Sequence, residues 1–159
     1  MPATYTTEKF GANAEVRMRE NDPDSGADAY VDLAEPAAGS AGTPTAPFLP
    51  ITGFRRFIAQ YMTTVGTGGI TAFKIMAATD AGGSGAVPVV AHALGSNPDA
   101  VGDFVSLECN AAQCREVLPT ATHVGVLVNL VTSTDEGALT FIRTDPEFPR
   151  TGLLADYIS

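Results

Sequence analysis

From Ile51 onward the chain is a succession of short segments in which apolar and polar residues alternate, with turn residues after almost every one. A period of two puts successive side chains on opposite faces of a strand. Turns this short join antiparallel neighbours, because a parallel return needs a crossover of a dozen or more residues. Arg56 to Thr64 ends at Val65-Gly66-Thr67-Gly68-Gly69. Ile70 to Ala78 sets Thr71, Phe73, Ile75 and Ala77 on one face and Lys74 on the other, and stops at Asp80-Ala81-Gly82-Gly83-Ser84-Gly85. Val87 to Leu94 contains Pro88, which cannot donate to a ladder and belongs at a strand start or a sheet edge. Asp103 to Cys109 sets Phe104, Ser106 and Glu108 against Val105, Leu107 and Cys109. Asn110 is placed to cap a short helix over Ala111 to Leu118, which Pro119 stops. Thr122 to Thr132 lines one face with Val124, Val126, Val128 and Leu130 and leaves Gly125 and Asn129 on the other. Ser133 to Gly137 turns the chain into a last strand, Ala138 to Arg143. This pattern predicts a mostly-β fold: an antiparallel β-sandwich or jelly-roll-like domain over residues 51–159.

The first fifty residues read differently. Two short strand candidates, Ala14 to Arg19 and Ala29 to Leu33, are set among turn residues. Glu20 to Gly26 is a turn cluster, and Glu35 to Pro50 is almost all Ala, Gly, Ser, Thr and Pro. Residues 1–50 are therefore expected to form an extended arm with short strands, able to add to the sheet edge of a neighbouring subunit. Its deletion is expected to leave a folded domain that no longer assembles. The terminal apolar cluster Leu153, Leu154, Tyr157 and Ile158 is expected to close the core or a subunit interface.

The composition supports a folded chain: 45% of residues are hydrophobic and 17% charged. A net charge of −9 opposes binding to nucleic acid or anionic lipid, so neither is an expected partner. No apolar run has the length of a membrane span, and the start of the chain has neither a basic segment nor an apolar core of the secretory kind, so synthesis in a cytosol is expected. Cys109 and Cys114 lack the number and spacing of a disulfide framework and are expected as free thiols.

Residues that could carry chemistry do not assemble into a motif. His92 and His123 lie on different predicted strands without a Cys or carboxylate at ligand spacing, and no second pair accompanies the two cysteines. Asp22-Pro23-Asp24-Ser25-Gly26-Ala27-Asp28 has carboxylates at alternate positions, but its glycine comes one place early for a calcium loop and no glutamate closes it. Gly82-Gly83-Ser84-Gly85-Ala86 imitates a nucleophile elbow, yet it joins two strands where that motif needs a strand followed by a helix. The glycines of Val65 to Gly69 lack the Lys-Ser/Thr ending of a phosphate loop. Asp103, Glu108, Asp135 and Glu136 read as a solvated acidic face. Arg55-Arg56, flanked by Phe54 and Phe57, is either a carboxylate anchor for another subunit or a pair at the sheet rim. No catalytic, cofactor-binding or metal residue is assigned, and no enzymatic activity or cofactor is expected.

Several stretches carry a family resemblance: Tyr5-Thr6-Thr7-Glu8-Lys9-Phe10 at the start, a weakly patterned segment after it, Leu107 to Gln113 leading through a short helix, and Thr122 to Val128 as the strand that follows. In this plan the chain resembles the small structural proteins of tailed-bacteriophage virions, of the type that decorates or associates with the capsid. The resemblance implies a β-sandwich in the virion, made in the host cytoplasm, with the major capsid protein or other virion subunits as partners and homo-oligomeric assembly. It implies a decorating or cementing role, or placement as a tail or neck subunit. The alternative from another class is a carbohydrate-binding β-sandwich module, for which the chain offers no Trp and only the scattered Tyr5, Tyr30, Tyr61 and Tyr157.

Overall fold

The computed structural model describes residues 5–10, 14–21, 29–31, 33, 46–65, 70–93, 100–130 and 136–147. Among the described residues ten strands and one helix follow one another: β1 (Tyr5–Phe10), β2 (Ala14–Asn21), β3 (Ala29–Tyr30), β4 (Leu49–Pro50), β5 (Phe54–Val65), β6 (Ile70–Ala78), β7 (Val87–Ala91), β8 (Phe104–Asn110), α1 (Ala111–Val117), β9 (His123–Leu130) and β10 (Glu136–Pro146). They form two five-stranded sheets, every pairing antiparallel. One sheet runs β1-β2-β10-β5-β8; the other runs β3-β9-β6-β7, with β4 also on β9. The fold is the expected mostly-β sandwich. All six strands expected after residue 51 are present, with ends shifted by a few residues; residues 66–69, 94–99 and 131–135, two of these segments expected as turns, lie outside the described residues.

The core lies between the inward faces. Phe57, Ala59 and Tyr61 of β5, Val105, Leu107 and Cys109 of β8, and Leu139 and Phe141 of β10 face Phe73, Ile75 and Ala77 of β6 and Val124, Val126 and Val128 of β9. Phe57 stacks on Phe141 within one sheet, with ring centroids 6.4 Å apart, and Tyr61 meets Phe73 across the sheets at 5.9 Å. β8 alternates buried and exposed residues along its whole length, as its pattern predicts. α1 begins where β8 ends, contacts strands of both sheets and buries Ala111 and Cys114, so it caps one end of the sandwich. Its start is fixed by a reciprocal pair: the Gln113 amide donates to the Asn110 side chain and the Asn110 amide donates to the Gln113 side chain.

The division expected at residue 50 does not match the pairing. β2 runs along β10 from Ala14↔Thr144 to Asn21↔Gly137, and Glu20 and Asn21, expected in a turn, belong to β2. β3 and β4 both pair with β9, and Val31, Leu33, Leu49 and Ile51 are buried in the same core as the later strands. The described parts of residues 1–50 are thus strands and core of this sandwich. Their removal would strip β2 from β10 and open the core, so a separable domain over residues 51–159 is not what the contacts support. The physical reason is that β9 and β10 each need partners on both sides, and the later strands supply only one to each.

β2 carries a charge into the interior: Glu15 points inward, directly across from Arg143 of β10. Their side chains are 11% and 9% exposed and meet at 2.7 Å. Arg143 also donates to the Pro50 carbonyl and lies 4.7 Å over the Phe54 ring. A buried charge pair of this kind adds little net stability, but loss of one partner strands the other in a dry site.

Candidate interaction surface

The two sheets end differently on the side where β7 and β8 lie. β7 is five residues long, carries Pro88, and pairs with β6 through an irregularity at Ile75/Met76. Short length, proline and bulging are the usual devices that blunt a sheet edge. β8 has none of them. It is a seven-residue strand in unbroken register with β5, from Met62↔Phe104 to Arg56↔Asn110, and among the described residues it has no pairing partner on its other side. A regular edge of this length presents a row of backbone donors and acceptors that an extended segment can join.

The outward face next to that edge is graded. At the α1 end, Arg56 Nε donates to Glu108 Oε1 at 2.5 Å, between side chains that are both half-exposed. Gln60 and Ser106 follow as a cross-strand pair. At the far end, Met62 and Phe104 stand opposite one another and are 40% and 58% exposed. Hydrogen bonds from Thr63 to the Asp103 carbonyl and from Gly102 to the Thr63 carbonyl hold the 100–103 turn against β5, and the Asp103 carboxylate accepts from the Ala100 amide. Val101, in that turn, is 67% exposed. Exposed apolar residues grouped at an open strand edge mark a contact surface, whereas isolated ones do not.

The residues singled out in the sequence do not converge on this surface. Arg56 is taken up by Glu108 within the chain, so of the doublet Arg55 alone points into solvent without an ion partner among the described contacts. Phe54 and Phe57 are core residues. His92 follows β7 and His123 opens β9; the Thr122 hydroxyl donates to the Thr79 carbonyl at 2.5 Å and lies 2.7 Å from His123 Nδ1. Ser84 sits in the β6–β7 hairpin, where its hydroxyl and amide donate to the Asp80 carboxylate and hold that group below the ordinary aspartate range. It is a turn residue, and no helix follows it. Cys109 and Cys114 are buried free thiols. Tyr61 is buried and Tyr30 packs edge-on to Phe48 at 5.0 Å, so neither offers a sugar platform. Asp22 to Asp28, Asp135 and Leu153, Leu154, Tyr157 and Ile158 lie outside the described residues, as does the side chain of Glu136. Among the described residues no three His, Cys, Asp or Glu side chains are grouped as metal ligands. Phe104 and Met62 were not singled out, although a Phe in step with Ser106 and Glu108 is a legible sign of an apolar side chain facing outward.

No family model and no curated protein matches this chain. Among solved structures it is similar to a cleaved adhesin domain of Lys-gingipain from Porphyromonas gingivalis, at 11% identity over 91% of this chain and 93% of that one, with a TM-score of 0.38.

Proposed function

We propose that this chain is a structural subunit that acts through protein–protein contact, a component of a tailed-phage virion that decorates or cements the shell by lending its β8 edge to an extended segment of a neighbouring subunit. The observation that carries the contact surface is the unbroken edge of β8, without a partner on its outer side among the described residues, with Met62 and Phe104 exposed beside it. Main-chain pairing supplies affinity at such an edge, and an apolar pair next to it supplies a buried anchor. The net charge of −9 favours a partner surface that carries positive charge. The virion setting rests on the resemblance of the sequence to phage structural proteins.

The test is to purify particles from the culture that makes the chain and follow it through a density gradient. The chain is expected to band with the particles, in fixed ratio to the shell protein, with cross-links to its neighbours that map to residues 101–108. Its absence from the particle band would remove the virion reading. Cross-links confined to the opposite edge would remove β8 as the contact.

A further inference from the structure

Cys109 is the last inward-facing residue of β8, and Cys114 faces inward from the first turns of α1. Asn110 lies between them as the helix cap, and its reciprocal bonds with Gln113 set the angle at which α1 leaves the strand. The consequence is that two sulfurs on different elements converge: Sγ to Sγ is 4.0 Å, and a hydrogen bond joins them. Both residues are buried, at 2% and 0% exposure, at the end of the core that α1 closes.

We infer that Cys109 and Cys114 are a built dithiol that closes to an intrachain disulfide when an oxidant is supplied, fastening α1 to the end of β8. A disulfide holds its sulfurs at about 2.05 Å, so from 4.0 Å closure needs convergence of about 2 Å, within reach of side-chain rotation and a small tilt of a seven-residue helix. The two sulfurs differ in readiness. The chain neighbours set them apart: Arg115 follows Cys114 and its charge favours the thiolate there, whereas Glu108 precedes Cys109 and its charge opposes one. With a cation beside it and no adjacent carboxylate, Cys114 is the sulfur assigned to attack.

With hydrogen peroxide as the oxidant, the Cys114 sulfur attacks one peroxide oxygen. The O–O bond breaks, and the departing hydroxide takes up a proton to become water. Cys114 is left as a sulfenic acid. The Cys109 sulfur then attacks the Cys114 sulfur, its proton leaves, and the S–O bond breaks to release the second water. Two thiols lose two electrons in total, and the peroxide gains them. The closed loop is short, so its effect falls on the opening of α1 more than on the unfolded chain. Because α1 lies at the opposite end of β8 from Phe104, the inference stands apart from the proposed contact surface.

The experiment treats the full chain with hydrogen peroxide, denatures it in N-ethylmaleimide and weighs it intact. The expected product is a monomer lighter by two hydrogens that takes no maleimide, returns to a species taking two after dithiothreitol, and shows slower amide exchange across residues 111–117 while closed. Cys114→Ser is expected to block that mass change. A chain that still takes two maleimides, that gains oxygen without losing hydrogen, or that links to another chain would overturn the inference. Unchanged amide exchange in a closed disulfide would overturn the fastening role.

Discussion

The two sheets share a core but treat their outward faces in opposite ways. On the β3-β9-β6-β7 sheet the outward face is covered. Phe48, arriving just ahead of β4, lies over Met76, Ala78 and Leu127 with Tyr30 against its edge, and its amide donates to the Ala81 carbonyl. That cover depends on a bare backbone beneath it: a Cβ at Gly125 would stand 2.6 Å from Phe48 Cδ1, and one at Gly83 2.6 Å from Phe48 Cε2. On the other sheet nothing among the described residues covers Met62 and Phe104 on the outward face at β5 and β8, and both reach solvent. The difference teaches where each sheet spends its apolar residues: one uses an outward aromatic to anchor the early chain, the other leaves one available for contact.

The covered face can be broken most severely at Phe48. Phe48→Ala is expected to lower unfolding free energy by about 3–5 kcal/mol, read from urea titrations. Gly125→Ala alone is expected to cost about 1–3 kcal/mol through overpacking. In the Phe48→Ala background the same change should cost nothing or stabilise, because the ring it would strike is gone and alanine suits a strand better than glycine. Strictly additive costs would show that Phe48 does not sit on Gly125.

The open face should respond in the reverse sense. Phe104→Ser is expected to change stability by no more than about 0.5 kcal/mol, since the ring is largely solvated, yet to weaken association measured by light scattering across a concentration series. A large stability loss without any effect on association would mean that the residue belongs to a covered surface after all.

The smallest effect lies in the hairpin beside Phe48. Ser84 holds the Asp80 carboxylate below its ordinary range, so the folded value is lower than the unfolded one. The contribution is therefore present above the unfolded value and is lost as pH falls through the folded value. Thermal melts of the wild type and Asp80→Asn should differ slightly at neutral pH and converge in that acidic window. Convergence with rising pH would reverse the sign and reject the bond.

What could be read from the residues was local. Alternation located the strands after residue 51, Pro88 marked an edge, and Asn110 marked the start of α1, because period, proline geometry and capping act within a few residues. The faces of β8 were legible for the same reason. Ala46 to Pro50 has no period, so nothing local tells that Phe48 covers a sheet and Leu49 pairs with Val124. Glu15 and Arg143 are separated by 128 residues, and only β2 docking on β10 brings the two charges together as a buried pair. The open edge of β8 is likewise a property of sheet order. The chain by itself determined the strands after residue 51 and which of their residues alternate, while β1 and β4 left no such signal. The tertiary structure decided which strands are neighbours, and with that which faces are covered, because backbone pairing between distant strands carries almost no sequence signal until the core selects it.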